Sequence, residues 1–387
     1  MKHIPYGRQD INADDIKAVT DILTSDWLTQ GPSVEEFEKK VAQYCGARYA
    51  VAVNSATSAL HIACLAADLQ PGEWLWTSPN TFVASANCGL YCGANVDFVD
   101  IDSKTYNLSA SVLEQKLHTA KAAGKLPKVI IPVHFSGQSC DMEAIAVLAR
   151  QYGCTIIEDA SHAIGGTYKA TRIGSCAYSD MTVLSFHPVK IITTGEGGMI
   201  LTNRQDLYEK LVRLRSHGIT RNPEQMEGES QGPWYYQQID LGHNYRITDI
   251  QAALGISQMN RIDEFVSKRR ALADRYSQKL RNLPLQLPYQ EEKGNSAWHL
   301  YVIKLNKSYK TKTRRQVFEE LRAKGLGVNV HYIPVHTQPY YKQLGFKQGD
   351  FPQAEEYYEG AISIPMYSSL TLEEQDYVID AITEVLK

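Results

Sequence analysis

One stretch of the chain is the starting point for predicting the fold and the functional site. It runs Ser185-Phe186-His187-Pro188-Val189-Lys190-Ile191-Ile192-Thr193-Thr194-Gly195-Glu196-Gly197-Gly198. The apolar residues 181–186 predict a strand that enters this stretch, and residues 199–202 predict a strand that leaves it. An amine fixed where a strand meets a tight loop loses solvation, which lowers its pKa and makes it a nucleophile. Glycines let the backbone pass close to a bulky group. Lys190 is therefore a candidate nucleophile beside a bulky ligand, with a surface lysine in a turn as the alternative that this stretch alone leaves open.

The composition is that of an ordinary soluble protein. The 387 residues are 21% charged and 43% hydrophobic, with a net charge of −3. This size allows two domains, and the charge gives no attraction to nucleic acid or to an anionic membrane. No apolar run approaches the ~20 residues that span a bilayer, and the first residues lack the apolar core of a signal peptide. We therefore expect a cytoplasmic protein with no nucleic-acid or membrane partner, no metal, and seven reduced, mostly buried cysteines.

The first half of the chain alternates strands with helices. Predicted strands lie at 49–53, 74–77, 97–100, 129–133 and 154–159. This alternation favours an α/β fold, in which a mostly parallel sheet lies between helices. Functional groups in such sheets collect at the carboxyl ends of the strands. We therefore expect Thr57, Phe82, His134, Asp159 and the Lys190 loop on one edge.

The pattern changes after residue 204. Helices are predicted at 206–216 and from 248 to about 281, on either side of a polar segment, 221–238, that suits a mobile or partner-facing loop. A smaller α+β region follows, with strands at 298–305 and 328–331 and a closing helix at 371–386. We predict an N-terminal arm of residues 1–13, a large domain of residues 14–255 and a small C-terminal domain of residues 256–387, with the boundary inside the long helix.

Four features on the predicted edge suit pyridoxal 5′-phosphate. Lys190 supplies an amine for its aldehyde, and Asp159 supplies a carboxylate for its pyridine nitrogen. A helix N-terminus after Asn54 to Ser58 can hold its phosphate. The same residues are equally compatible with a simple N-cap that binds no ligand. An aromatic side chain can stack on its ring.

Several motifs together resemble a known family. They are residues 185–198, Asn54–Leu60, Ser78–Ala84, Val99–Asp102, Glu158–Ala163 and Val330–His336. The chain resembles the fold-type I, DegT/DnrJ/EryC1/StrS-like nucleotide-sugar aminotransferases over nearly its whole length. The resemblance implies a mostly parallel seven-stranded sheet between helices and a smaller C-terminal α+β domain.

The resemblance also implies roles for single residues. Lys190 looks like the lysine that forms the internal aldimine with pyridoxal phosphate, and like the base that moves the proton. The remaining implied cofactor contacts are Ala56, Thr57 and Ser185 to the phosphate, Phe82 to the ring face, Asp159 to the pyridine nitrogen, and His162 near the 3′-oxygen. His162 is equally compatible with a packed, hydrogen-bonded histidine. Asn244 resembles an asparagine that the other subunit lends to the phosphate, which implies a homodimer with shared sites.

The substrate is implied less directly. The family would transfer an amino group from L-glutamate, through a pyridoxamine phosphate form, to a keto sugar. The motifs look most like the pseudaminic-acid branch, which aminates C4 of a UDP-linked 4-keto-6-deoxy-N-acetylhexosamine. The implied nucleotide-sugar contacts are Tyr6, Trp27, Leu28, Thr29, Ser55, Arg246, His331 and Tyr332.

Three alternatives stay open at this point. One is an aminotransferase for another sugar, such as a dTDP-linked 3- or 4-keto sugar or the UDP-bacillosamine precursor. Another is a non-enzymatic pyridoxal-phosphate-binding regulator, although the sequence shows no helix-turn-helix segment. The third reads the glycine-rich turn as the phosphate loop of a nucleotide-dependent transferase, but the chain lacks Gly-x-x-x-x-Gly-Lys-Ser/Thr.

Overall fold

The structure is a computed structural model that describes residues 3–387. Its α-helices are α1 Ala13–Leu23, α2 Pro32–Cys45, α3 Ala56–Ala66, α4 Ala84–Tyr91, α5 Ala110–Ala122, α6 Met142–Tyr152, α7 Gln205–Arg215, α8 Asp249–Met259, α9 Ile262–Leu280, α10 Arg314–Ala323, α11 Pro339–Gln343, α12 Pro352–Gly360 and α13 Leu372–Leu386. Its strands are β1 Tyr49–Val53, β2 Trp74–Thr77, β3 Asn95–Phe98, β4 Val129–Ile131, β5 Thr155–Asp159, β6 Thr167–Tyr168, β7 Thr171–Arg172, β8 Met181–Ser185, β9 Gly198–Thr202, β10 Ile219–Thr220, β11 Gln237–Gln238, β12 Leu285–Gln286, β13 Gly294–Asn295, β14 Tyr301–Leu305 and β15 Ala361–Ile364.

Seven strands form the main sheet, in the order β1-β9-β8-β5-β4-β2-β3. Strand β9 runs antiparallel to both neighbours, and the other pairs are parallel. The central strands are continuous apolar runs because both faces are covered: every residue of β4 and β8 is buried. The predicted mostly parallel seven-stranded α/β fold is confirmed.

A second core lies in the C-terminal part of the chain. Strands β12, β14 and β15 form a three-stranded antiparallel sheet. Their apolar residues pack with those of α9, α10 and α13, and Ile4 from the N-terminal segment joins them. The domain limits at residues 13 and 255 remain a prediction, since this packing describes cores and not boundaries.

The prediction of one long helix from 248 to 281 is wrong, because the helix is interrupted at Asn260 and Arg261, between α8 and α9. The Arg261 guanidinium bonds the Asp10 and Asp15 carboxylates at 2.9 and 2.6 Å, and its own backbone leaves the helical region with φ −111° and ψ 6°. These contacts fix the break against α1.

Two predicted C-terminal strands are shorter than expected. The segment 328–331 makes a single bridge, between Asn329 and Ser363, and the predicted strand 298–305 begins only at Tyr301. The second difference has a backbone cause: Trp298 has φ 50°, outside the extended region, so the strand begins only after it. The buried Arg269 donates to the carbonyls of Trp298 and His299, and also to that of Met366, at 3.0–3.2 Å and holds this segment.

Two further features of the described chain bear on its class. No helix within residues 3–387 is long and apolar enough to cross a membrane. All seven cysteines are free thiols and all but Cys154 are buried, as predicted.

The polar segment 221–238 is tied at its ends by the short hairpin β10–β11.

Candidate active site

A pocket of about 430 Å³ opens at the carboxyl ends of the main-sheet strands. Asp159 and Ser185, the last residues of β5 and β8, form part of its floor. Of the residues predicted from the sequence, those that line it are Tyr6, Ser55, Ala56, Thr57, Phe82, Asp159, His162, Ser185, Lys190, His331 and Tyr332. The structure therefore brings most of the predicted site together.

Lys190 reaches this pocket from a folded-back loop. Its backbone N–H donates to the His187 carbonyl at 2.9 Å, and the Thr194 N–H donates to the Phe186 carbonyl at 3.0 Å, which closes the loop. Burial lowers the pKa of Lys190 to about 8, although the Asp159 carboxylate opposes the change. An amine of this kind is a nucleophile near neutral pH.

Asp159 is held by hydroxyl and backbone donors. Its Oδ2 accepts from the Ser85 hydroxyl at 2.6 Å, and its Oδ1 accepts from the Ser161 N–H at 3.1 Å. The hydroxyls of Ser85 and Thr81 lie 2.7 Å apart and extend this network. Among the described residues no cation forms an ion pair with Asp159, and the Lys190 ammonium acts on this buried carboxylate only at longer range.

The neighbouring acid, Glu158, lies on the opposite face of β5, because successive strand residues point to opposite faces. Its Oε2 is 2.6 Å from His134 Nε2, and its Oε1 accepts from the Ser179 and Thr182 hydroxyls. Burial alone would raise the pKa of Glu158, but these hydrogen bonds outweigh it and lower that pKa. His134 lies at the expected edge of the sheet, since its backbone N–H donates to the Asp159 carbonyl at 3.0 Å, but its buried side chain pairs with Glu158 and does not line the pocket.

The N-terminus of α3 forms another wall. The helix begins at Ala56, earlier than the sequence suggested, with the Ser55 hydroxyl as its N-cap. The N–H groups of a first helical turn have no intrahelical acceptor and bind anions. Gly198 of β9 passes so close that an added Cβ would lie 2.5 Å from the Ala56 nitrogen. The sheet and the helix N-terminus are thus pressed together at this wall.

The wall on the C-terminal side is polar and neutral. The His162 imidazole accepts the Ser136 N–H at Nδ1 (3.3 Å) and lies 3.2 Å from the Tyr332 hydroxyl through Nε2. Its ring centre is 4.4 Å from that of His299. Burial and the nearby Lys190 lower the pKa of His162 and bring the pKa of His331 to about 4.

Phe82 lies at the rim and is 59% exposed, with its ring centre 6.2 Å from that of Tyr332. An aromatic face that exposed is available to a planar ligand. Its predicted stacking role stays a prediction.

Five predicted residues do not line the pocket: Trp27, Leu28, Thr29, Asn244 and Arg246. Trp27, Leu28 and Asn244 are exposed on the surface. Arg246 borders a second pocket of about 310 Å³, together with Arg215 and Glu38. Within one chain these residues do not contribute to the site around Lys190.

Sequence reasoning missed Thr81, Ser85, His299 and Asn329, which line the pocket. Thr81 belongs to the Ser78–Ala84 motif, and Ser85 follows that motif directly. Residues four positions apart lie on the same side of a helix, so the spacing from Thr81 could have indicated Ser85. His299 and Asn329 come from irregular segments of the C-terminal region, and no local pattern marks them.

Comparison with known proteins identifies the class of enzyme. The model of the DegT/DnrJ/EryC1/StrS aminotransferase family matches residues 9–383. The chain is 40% identical to the spore coat polysaccharide biosynthesis protein SpsC of Bacillus subtilis over 387 residues, which covers 99% of this chain and 97% of SpsC. It is 36% identical to the UDP-4-amino-4,6-dideoxy-N-acetyl-β-L-altrosamine transaminase of Campylobacter jejuni, with 99% and 98% covered.

A solved structure agrees. The Helicobacter pylori aminotransferase PseC, involved in pseudoaminic acid biosynthesis, superposes with a TM-score of 0.90 at 29% identity and covers 100% of this chain and 99% of its own. The fold, the lysine-centred pocket and these matches lead to one conclusion: the chain belongs to the DegT/DnrJ/EryC1/StrS family and is a sugar aminotransferase.

Proposed function

We propose that this protein uses pyridoxal phosphate to transfer an amino group from L-glutamate to C4 of a UDP-linked 4-keto-6-deoxy-N-acetylhexosamine, as in pseudaminic acid biosynthesis. The observation that carries the proposal is the Lys190 amine, with its pKa lowered to about 8, in one pocket with the buried Asp159 carboxylate. Aminotransferases of this family depend on pyridoxal phosphate.

The groups that line the pocket fit pyridoxal phosphate. Asp159 forms no ion pair within the described chain, so its carboxylate can accept a protonated pyridine nitrogen. The first turn of α3 offers the free N–H groups of Ala56 and Thr57, and the Ser185 hydroxyl makes no hydrogen bond within the described chain, so both suit a phosphate.

When bound, pyridoxal phosphate supplies an electron sink that stabilises negative charge on the substrate carbon. Lys190 would hold the group through its Nζ, and the same nitrogen would take a proton from the substrate carbon and return it. Asp159 would face the ring nitrogen and keep it protonated, and the Ser85 hydroxyl and Ser161 N–H hold that carboxylate in place.

The similarity to the Campylobacter transaminase and to PseC supports the pseudaminic-acid substrate. Four of the substrate contacts implied for that branch, Tyr6, Ser55, His331 and Tyr332, lie in the pocket wall. A second candidate is another nucleotide-linked keto sugar, which the higher identity of 40% to the spore coat polysaccharide protein favours.

We further propose a homodimer with shared sites. Among the pocket-lining residues within 3–387, Lys190 is the one lysine or arginine, so these residues offer no second cation to the carboxylates of L-glutamate and the diphosphate of a nucleotide sugar. The exposed Asn244 and the half-buried Arg246 lie two positions apart in the sequence and outside this pocket, and they suit a site completed by a second copy.

The experiment is a spectrum of the purified protein with pyridoxal phosphate, before and after L-glutamate, followed by a panel of UDP- and dTDP-linked keto sugars. Wild type is expected to show a visible band that L-glutamate removes and a 4-keto UDP-sugar restores. Lys190→Ala abolishes this band, whereas substitution of an exposed lysine, Lys347→Ala, leaves it in place. A band that survives Lys190→Ala, or that L-glutamate leaves unchanged, contradicts the proposal. Turnover of a dTDP-sugar alone would select the second candidate.

A further inference from the structure

Three cysteines meet where α3 packs against α4, and none of them lines the pocket. Cys64 belongs to α3, Cys88 belongs to α4, and Cys92 is the residue that ends α4. The sulfurs of Cys64 and Cys88 are 3.7 Å apart, and the Cys64 thiol also contacts the thiol of Cys92. Cys88 and Cys92 are four positions apart, so both lie on the face of α4 that meets α3. Cys64 therefore faces two thiols of the neighbouring helix.

A histidine borders the same three thiols. His61 of α3 contacts the side chain of Cys92, and its Nδ1 lies 3.1 Å from the Tyr245 hydroxyl. The rings of His243 and Tyr91 pack on either side, with centres 4.8 and 5.5 Å from that of His61. The imidazole is thus held in one orientation beside a thiol. Activated cysteines in proteins have this arrangement of a thiol, a histidine and a third group that orients the histidine.

Cys92 is the thiol of this cluster that solvent reaches. It is 8% exposed, whereas Cys64 and Cys88 are fully buried. The Cys64 thiol and the His61 imidazole lower the pKa of Cys92 below its usual value, although burial opposes them. Contacts with Cys88 and Cys92, together with burial, raise the pKa of Cys64. The cluster therefore places a thiolate at the surface side and a protonated thiol behind it.

Two other cysteines show what the cluster adds. Cys154 is the most exposed of the seven, but burial raises the pKa of its thiol to about 11. Cys140 also lies beside a histidine, His134, but that imidazole is paired with Glu158 at 2.6 Å and Cys140 is fully buried. Exposure alone and a histidine alone therefore do not reproduce the surroundings of Cys92.

We propose that this cluster is an oxidation site for hydrogen peroxide, in which Cys92 reacts first and Cys64 then closes a Cys64–Cys92 disulfide. Cysteines that sense oxidants combine a low pKa with access to solvent and a second thiol close by. The inference concerns a site outside the pocket and does not depend on the proposed substrate or cofactor.

The reaction balances in two steps. The Cys92 thiolate attacks one oxygen of the peroxide, the O–O bond breaks, and the departing hydroxide takes up a proton to become water. This leaves a sulfenic acid on Cys92. The Cys64 sulfur then attacks the Cys92 sulfur, the S–O bond breaks, and the hydroxyl leaves as water with the Cys64 proton. The two thiols lose two electrons and two protons in all, which the peroxide accepts, and an external thiol can reverse the change.

The first test follows which thiols of the reduced, full-length wild-type protein react. The protein is treated at pH 7 with one equivalent of hydrogen peroxide, the remaining thiols are alkylated, and the peptides are mapped by mass spectrometry. We expect a linked Cys64–Cys92 peptide pair, with Cys154 still alkylated although it is more exposed. Oxidation of Cys154 ahead of the cluster overturns the inference, and so does a cluster that stays reduced in excess peroxide.

Variants then separate the roles. Cys92→Ala should abolish the reaction, and Cys64→Ala should stop it at a sulfenic acid on Cys92, which dimedone traps. His61→Asn should slow the loss of thiols about tenfold at pH 7, because the imidazole favours the thiolate. Cys154→Ala, the control, should leave the rate unchanged. A Cys64–Cys88 disulfide that forms at the wild-type rate in Cys92→Ala would overturn the role of Cys92. The wild-type peptide map decides the question even where a variant fails to fold.

Discussion

The pKa of Lys190 makes uptake of the cofactor depend on pH. Only the neutral amine attacks an aldehyde, and raising the pH through about 8 converts the ammonium of the free protein to that amine. We therefore expect the rate of pyridoxal phosphate loading to rise with pH around a midpoint near 8 and to level off above it. The measurement is the initial rate of appearance of the visible band across a pH series.

Asp159→Asn gives this prediction an internal control. The Asp159 carboxylate stabilises the Lys190 ammonium, so its removal should move the midpoint to lower pH. Two results would contradict the assignment of a desolvated amine beside this acid. One is a wild-type midpoint near the ordinary lysine pKa of about 10.4, and the other is the same midpoint in wild type and Asp159→Asn.

At the scale of secondary-structure elements, the contact between β9 and α3 carries the phosphate site. Gly198→Ala would place a methyl group 2.5 Å from the Ala56 nitrogen and from the Ser55 carbonyl carbon and oxygen, all of them backbone atoms. We expect the strand and the helix to separate, with at least a tenfold weaker affinity for pyridoxal phosphate and a free energy of unfolding lower by about 1–3 kcal/mol. Equilibrium dialysis and urea unfolding of the cofactor-free protein measure the two effects.

A matched glycine serves as the comparison for this change. At Gly7 an added Cβ would meet Val189 at 3.4 Å, an ordinary contact, so Gly7→Ala should change the unfolding free energy by less than about 0.5 kcal/mol. Unchanged dialysis affinity in Gly198→Ala would remove the N-terminus of α3 from the phosphate site.

The elements also show what sequence reasoning can reach. Apolar runs and their spacing predicted the strands of the main sheet, because its central strands, such as β4 and β8, are buried along their length and their pattern is local. The break between α8 and α9 depends on Arg261 meeting Asp10 and Asp15, about 250 positions away along the chain. His299 is in the pocket for the same kind of reason, and no local pattern encodes such distant contacts.

The whole molecule presents apolar side chains that a single chain leaves uncovered. They include Trp27, Leu28, Trp234 and Leu241, which are 49–82% exposed. Leu241 lies three positions before Asn244, so one surface holds both an exposed apolar group and the residue predicted to serve the other subunit. Burial of such side chains is what holds homodimers together.

We expect Leu241→Glu to weaken the dimer and the affinity for pyridoxal phosphate in parallel, because the phosphate would lose the partner's asparagine. Sedimentation velocity and cofactor titration, run over the same range of protein concentration, measure both. Leu372→Glu changes an equally apolar, 64% exposed side chain at the start of α13 and should affect neither. A wild-type protein that is monomeric and fully loaded with cofactor would contradict the shared site.

The two acids that end β5 limit which insertions and deletions the protein can tolerate near this strand. Asp159 serves the pocket, and Glu158 serves the buried pair with His134 on the other face. One residue inserted between α6 and the end of β5, with the pairing to β4 and β8 kept, would shift the strand and exchange the two faces. The pocket would lose its acid and the structural histidine its partner in a single step. Insertions and deletions near this strand should therefore be absent from functional descendants, whereas the solvent-exposed segment 221–238 can tolerate them.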